Sequence, residues 1–191
     1  MMSGPVSRED AWALLIEFTQ SDSLRKHALA VEAAMRACAR DTGADEELWG
    51  VTGLLHDFDY ERWPNPERDE TGHPWTGVAI LRERGYSEEM CDAILGHAPF
   101  TKHPRTTPLA KTLFAVDELC GLITAIGYVR PDGLDGLEPK SVKKKLKDKA
   151  FARGVSREDV RQGMAELGVD ENAHIARVIA ALQSIAAELG F

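Results

Sequence analysis

Apolar residues recur at spacings of three and four along almost the whole chain, and no other feature of the sequence limits the fold as strongly. The first such stripe consists of Ala11, Leu14, Leu15 and Phe18. Residues with this spacing share one face of an α-helix, whereas a half-buried strand shows strict alternation, of which the sequence has no convincing run. The sequence therefore predicts an all-α fold, built as a compact bundle of about nine helices.

Capping residues, glycines and prolines mark where the predicted helices begin and end. Ser7 with Asp10, and Ser156 with Asp159, have the spacing of capping boxes. A polar loop of about 14 residues precedes Pro74, and loops of this length in compact domains are often functional. The predicted helices span residues 8–20, 23–41, 45–57, 74–85, 87–97, 140–150, 156–167 and 171–189. A further long helix opens at residues 107–108 and runs through Ile123 toward a connector at 129–139.

Size and composition predict one domain over residues 1–191, because a chain of this length with 43% hydrophobic residues can bury one sizeable core. No run approaches the roughly 18 uninterrupted apolar residues of a membrane span, and the N-terminus lacks the pattern of a secretory signal, so we expect a cytoplasmic protein. A net charge of −8 disfavours binding to nucleic-acid polymers or anionic membranes. The three cysteines have no CxxC spacing, which predicts buried, reduced thiols.

A histidine and an aspartate fall on the apolar faces of two predicted helices. His27 lies on the stripe that contains Val31, so its imidazole should point to the interior, either as a hydrogen-bonded core residue or as a ligand. Asp117 lies between Val116 and Cys120, where a buried carboxylate without a partner costs several kcal/mol. An arginine or a metal ion would supply the cation that Asp117 needs.

Three more histidines and a second aspartate occur at helix ends and on inner helix faces. His56 and Asp57 adjoin at the end of an apolar helix, where both reach one ion if the helix ends there; a capping aspartate beside a surface histidine is the alternative. His97 lies on the inner face of its helix, and His73 precedes Pro74, where a solvated loop histidine is the alternative. Imidazole and carboxylate groups together suit zinc, iron or manganese better than calcium.

The order of these residues resembles the HD superfamily of metal-dependent phosphohydrolases. Its pattern is a histidine on one helix, a His-Asp pair at the end of the next and a distant aspartate, and the matching residues are His27, His56, Asp57 and Asp117. The resemblance covers about residues 20–125 and implies an HD-domain helical bundle. The segment RPDGLDGLEPKSVKKKLKDKAF, within a C-terminal helical part at about 130–191, is similar to a group of bacterial predicted HD hydrolases.

The resemblance also implies the metal ligands. The four residues just named would hold a first ion. Members with two metals add two histidines, and His73 and His97 match those positions, with Asp57 bridging. His103 lies shortly after His97 as an alternative ligand, but Pro104 restricts its loop and favours His97. We therefore expect one or two divalent ions per chain, of iron, manganese or zinc.

Three functions remain open. The first is hydrolysis of a nucleotide or another small phosphorylated metabolite by metal-activated water, with Asp57 catalytic. Asp59 would act as a general base or orient a ligand histidine, and a surface acid at the helix end is the simpler alternative. The absence of a Gly-Tyr-Pro motif disfavours a cyclic dinucleotide as the substrate. The second is a di-iron oxygenase on the same scaffold. The third is a non-catalytic metal-binding module, in which every ligand would be shielded from solvent.

One basic segment interrupts this acidic chain. Six lysines fall within residues 140–149, and a solvated helix face is the simpler interpretation. The alternative is that these and a nearby arginine bind the phosphate of the substrate, and the candidates are Lys140, Lys144, Lys145 and Arg130.

Overall fold

The computed structural model describes residues 7–191, and in that range it contains ten α-helices and no strand. The all-α prediction is confirmed. A single 3-10 turn, Pro99–Thr101, follows the fifth helix. The helices are α1 (Arg8–Phe18), α2 (Asp22–Thr42), α3 (Glu46–Leu55), α4 (Trp75–Glu83), α5 (Glu88–His97), α6 (Pro108–Tyr128), α7 (Pro139–Lys147), α8 (Arg157–Leu167), α9 (Glu171–Gln183) and α10 (Ala186–Leu189).

Two predicted C-terminal boundaries were wrong. The expected helix over 171–189 is interrupted after α9, where the Ser184 hydroxyl donates to the carbonyl of Ala181 and Ile185 leaves the helical conformation, with φ −123° and ψ 26°. The expected helix over 140–150 ends at Lys147. The Asp148 carboxylate accepts the backbone N–H groups that follow it, and this local turn replaces further helical hydrogen bonds.

The two longest helices, α2 and α6, form the centre of the bundle. Helix α2 packs against α3, α6 and α9, while α6 packs against α5, α8 and α9. Buried apolar side chains form one cluster that extends from Ala11 to Leu189. Cys38, Cys91 and Cys120 are free and buried within it, as the sequence predicted. Within residues 7–191, no helix combines the length and apolarity that crossing a membrane requires.

The helix ends determine where polar side chains enter this core. Asp45 caps α3 by accepting two backbone N–H groups, and α3 then ends at Leu55, so that the next two residues begin a series of turns. Thr107 caps α6, with Pro108 at its first position. Residue 117 therefore lies in the middle of a long helix that is otherwise buried on its inner face. These boundaries bring the polar residues of α2, α3 and α6 to one region of the core.

Two helical glycines differ in how closely neighbouring atoms approach them. In α8, a Cβ at Gly163 would lie 2.7 Å from the Cα of Ala115 in α6, which is closer than real contacts allow. We expect Gly163→Ala to lower the free energy of unfolding by about 1–3 kcal/mol, because α8 would have to move away from α6. A denaturant titration of the purified variant measures this change.

Gly121→Ala is the matched control. A Cβ at Gly121 in α6 would meet only Val155, at 3.7 Å. Because alanine is the better helix former by up to about 1 kcal/mol, this variant should be as stable as the wild type or more stable. Equal losses of stability in the two variants would contradict the close packing of α8 on α6.

Candidate metal centre

Four helices and one loop bring six of the sequence-predicted ligands into a single cluster. Two of them lie within the long helices, three lie at or just after helix ends, and one closes the loop before α4. They are His27 in α2, His56 and Asp57 after α3, His73 before α4, His97 at the end of α5 and Asp117 in α6.

The carboxylate of Asp57 lies between two sets of imidazoles. Its Oδ2 is 3.4 Å from Nε2 of His56 and 4.0 Å from Nε2 of His27. Its Oδ1 is 3.2 Å from Nε2 of His73 and 3.3 Å from Nε2 of His97. Each oxygen of one side chain thus faces a separate group of nitrogen donors.

Asp117 completes the first of these groups. Its Oδ1 is 3.0 Å from Nε2 of His27 and 3.4 Å from Nε2 of His56. The groups able to hold an ion, each with ligand atoms within 4.8 Å of one another, overlap through shared residues. They are His27 with His56 and Asp57, His56 with His97 and Asp117, and Asp57 with His73 and His97.

Hydrogen bonds on the far side of two imidazoles orient these rings. Nδ1 of His56 bonds to the carbonyl of Gly53 at 2.8 Å, and Nδ1 of His97 bonds to the carbonyl of Ile94. A carbonyl oxygen only accepts, so Nδ1 carries the proton in both rings, and Nε2 of the neutral ring presents a lone pair to the cluster. This is the tautomer that a metal ligand requires.

His56 provides the test of whether these residues fit a metal ion. Its side chain is fully buried, and its Nε2 has no hydrogen-bond partner within the described part of the chain, although two carboxylate oxygens lie 3.4 Å away. A buried polar atom without a partner is costly, and a cation between the imidazole and the carboxylates would satisfy all three groups. The mixed nitrogen and oxygen donors suit a divalent transition-metal ion, so these residues fit such an ion.

The same carboxylates shift the pKa values in the cluster. Burial by itself would lower the pKa of His56, but the charges of Asp57 and Asp117 outweigh it and hold that pKa well above its usual value. Burial would raise the pKa of both carboxyl groups, and the positive charge of His56 instead holds them below their usual values. The site thus favours a positive charge here, which a bound metal supplies in place of the imidazolium proton.

A cavity of about 630 Å³ gives solvent access to the cluster. The side chains of His27 and Asp57 are each 23% exposed, and that of Asp117 is 16% exposed. Ten of the lining residues lie outside the cluster and belong to the loop before α4, the segment after α5, helix α6 and the start of α8. Those used below are Arg68, Phe100, Glu118, Ser156, Glu158 and Asp159.

Asp59 lies behind the cluster and does not line this cavity. It is 1% exposed, its Oδ1 accepts from Nδ1 of His73 at 2.7 Å, and its Oδ2 accepts the N–H of Gly77 at 2.7 Å. A Cβ at Gly77 would lie 2.6 Å from Cγ of Asp59, so only glycine permits this approach. The geometry supports Asp59 as the group that orients His73 and gives no support to it as a general base.

The structure does not bring the predicted phosphate-binding side chains to the cavity. Lys140, Lys144 and Lys145 lie on α7, Arg130 lies in the connector after α6, and none of the four lines the cavity. Lys140 and Lys145 pair with neighbouring acids, and the Arg130 guanidinium donates to carbonyl groups of its own loop. Their role as substrate contacts stays a prediction, because no distance in the structure supports it.

The two remaining histidines lie outside the cluster. Nε2 of His103 is 3.1 Å from Oδ1 of Asp92, and His97, not His103, lies in the cluster. His174 is fully buried, and its Nε2 donates to the carbonyl of Ala115 at 3.2 Å. Burial lowers the pKa of His174, which favours the neutral ring there.

Sequence reasoning missed several cavity residues, and one of them modifies a predicted cap. The Ser156 hydroxyl accepts the N–H of Asp159 as the capping box requires, but the Ser156 N–H donates to Glu118 at 3.0 Å. The Asp159 carboxylate is therefore left to face the cavity. Burial, followed by the charge of Asp117, raises the pKa of Glu118 to about 7. The place of Arg68 in the long polar loop was a sequence signal that could have indicated a position near the site.

Removing the charge of Asp59 tests its orienting role. We expect Asp59→Asn to weaken metal binding about 10- to 100-fold, because a neutral amide no longer fixes the tautomer of His73. A competition titration with a chromogenic chelator measures the affinity. Asp92→Asn, which alters the exposed His103–Asp92 pair, is the matched control and should retain wild-type affinity. Equal affinities for both variants would contradict the assignment.

Comparison with known proteins agrees with this geometry. The family model of the HD domain matches residues 24–122, just over half of the chain, and the matched range contains every residue of the cluster. Searches of curated proteins and of solved structures gave no match. From the family match, the chain belongs to the HD domain family, whose members are generally metal-dependent phosphohydrolases.

Proposed function

We propose that this protein is a metal-dependent phosphohydrolase that binds two divalent ions and hydrolyses a small phosphate ester, a nucleotide or another phosphorylated metabolite. The observation that carries the proposal is the position of Asp57. Its two oxygens face two separate sets of imidazole nitrogens at the wall of an accessible cavity. Such an arrangement suits a bridging carboxylate between two ions.

The ligand sets follow from the distances. The first ion would be held by His27, His56, Asp57 and Asp117, and the second by Asp57, His73 and His97. The donor types suit zinc, iron or manganese. When bound, such ions lower the pKa of water toward neutrality and neutralise charge on phosphoryl oxygens.

The protein's own residues keep this centre ready to bind. The low pKa of Asp57 keeps its carboxylate ionised near neutral pH, so both of its oxygens remain available. Backbone carbonyls hold the rings of His56 and His97, and Asp59 holds that of His73, so that each ring presents Nε2 to the cluster. Little reorganisation is then needed when an ion or a substrate binds.

Solvent access argues against a purely structural centre. A structural metal site is closed, whereas a catalytic site keeps a position open for water or substrate. Here three ligand side chains are partly exposed to one cavity, while His56 at the back of the cluster is fully buried. A volume of about 630 Å³ is within the usual range for sites that bind small molecules.

Metal counting on single variants tests the shared carboxylate. Wild-type protein, purified without chelators and reconstituted with zinc or manganese, should contain two ions per chain by plasma mass spectrometry. His73→Ala should retain about one ion, because it removes a ligand of the second set only. Asp57→Ala should lose both ions and all hydrolysis of 4-nitrophenyl phosphate.

His103→Ala is the control for these variants, since it removes a histidine that lies outside the cluster, and it should keep two ions. One ion in the wild type, unaffected by His73→Ala, would contradict the dinuclear centre. The hydrolysis assay is run under strict anaerobiosis. Loss of turnover without dioxygen would refute hydrolysis and favour the di-iron oxygenase.

A further inference from the structure

The wall of the cavity carries a single long cationic side chain. Of the residues that line it in the described part of the chain, Arg68 alone is an arginine or a lysine. It belongs to the loop between α3 and α4, shortly before the ligand His73. Its guanidinium Cζ lies 5.7 Å from the ring centroid of Phe100, which is three residues beyond the ligand His97. Arg68 thus lies between two segments that carry ligands of the second set.

The guanidinium of Arg68 is free to take an anion. Within residues 7–191 no carboxylate lies within ion-pair distance of it, whereas Arg105 and Arg84 form such pairs with Glu166 and Glu17. The guanidinium lies over the Phe100 ring at cation–π distance, a contact that uses none of its N–H donors. Those donors match the oxygens of a phosphate in a bidentate arrangement.

The loop holds Arg68 in a defined conformation. Arg68 has φ 58°, in the left-handed region that costs energy for a residue with a side chain. Its N–H donates to the carbonyl of Asn65 at 3.2 Å, and the Asn65 amide donates to the carbonyls of Asp69 and His73. One asparagine therefore ties the turn that carries Arg68 to the backbone of a metal ligand.

Another part of the cavity wall carries negative charge. Glu118, Glu158 and Asp159, from α6 and the first turn of α8, line the cavity there. Carboxylates accept hydrogen bonds from hydroxyl or amino groups, and they repel phosphate groups beyond the one bound at the metal centre. Positive charge in the cavity is thus confined to the metal side and Arg68.

We infer that Arg68 binds the phosphate of the substrate, and that the acidic wall selects phosphomonoesters with hydroxyl or amino groups over di- and triphosphates. This inference rests on the proposed function and specifies its substrate class. Arg68 would hold the phosphate beside the second set of ligands. The organic part of the substrate would then extend toward α8.

The variant Arg68→Gly tests phosphate binding without a loss of stability. Glycine adopts the left-handed conformation without strain, so this variant should be at least as stable as the wild type. We expect KM for ribose 5-phosphate, and the Kd of inorganic phosphate measured by titration calorimetry on the metal-loaded protein, to rise about tenfold or more. Lys102→Gly is the matched control. Lys102 also has φ 58° but lies outside the cavity, so both constants should stay within twofold.

The two readouts distinguish failure of the inference from failure of the proposed function. If wild-type protein binds phosphate but hydrolyses no phosphomonoester, the hydrolase proposal fails while the calorimetric comparison still tests Arg68. If Arg68→Gly binds phosphate as the wild type does, or if the wild type binds none at millimolar concentration, the inference is overturned.

The acidic wall has its own test. The double variant Glu158→Gln and Asp159→Asn should improve kcat/KM for a nucleoside diphosphate relative to the monophosphate by about tenfold, because it removes the repelling charges of Glu158 and Asp159. Glu89→Gln, in the first turn of α5 and outside the cavity, should leave this ratio unchanged. An unchanged ratio in the double variant would show that the acidic wall does not select against diphosphates.

Discussion

The partial burial of Asp57 and Asp117 in an apolar helical bundle is the constraint on which the rest of the structure depends. Two ionised carboxylates that each lie 3.4 Å from the same nitrogen of His56 repel each other, and removing them from water is costly. The fold meets this cost by surrounding them with four imidazoles, whose nitrogens lie 3.0–4.0 Å from the carboxylate oxygens. Imidazoles offset such charge in full only when they are protonated or when they share a cation with the carboxylates.

The hydrogen bonds behind the rings favour the shared cation. Backbone carbonyls near the ends of α3 and α5 take the Nδ1 protons of His56 and His97, and Asp59 bonds to that of His73. Each ring is thereby oriented with Nε2 toward the carboxylates. The last turns of α3 and α5 supply the carbonyl groups that select the tautomers of His56 and His97. Where α3 and α5 end therefore determines how the rings of His56 and His97 are oriented.

Four residues of the cluster could be predicted from the sequence because each one breaks a pattern. His27 and Asp117 are polar residues on apolar helical stripes, and the His56-Asp57 pair follows directly on a buried helix. The cavity wall could not be predicted in this way. Arg68 reaches it through a left-handed turn in an irregular loop, and Asp159 faces it only because Glu118 replaces Asp159 as the acceptor of the Ser156 N–H. Such details depend on tertiary packing, and so does the position of the α7 lysines outside the cavity.

Anomalous diffraction from crystals grown with manganese or zinc would show whether the two oxygens of Asp57 bind two different ions. We expect two anomalous peaks, one among Oδ2 of Asp57, His27, His56 and Asp117, and one among Oδ1 of Asp57, His73 and His97. A single peak in contact with only one oxygen of Asp57, or peaks that lie away from this carboxylate, would show that Asp57 does not bridge two ions.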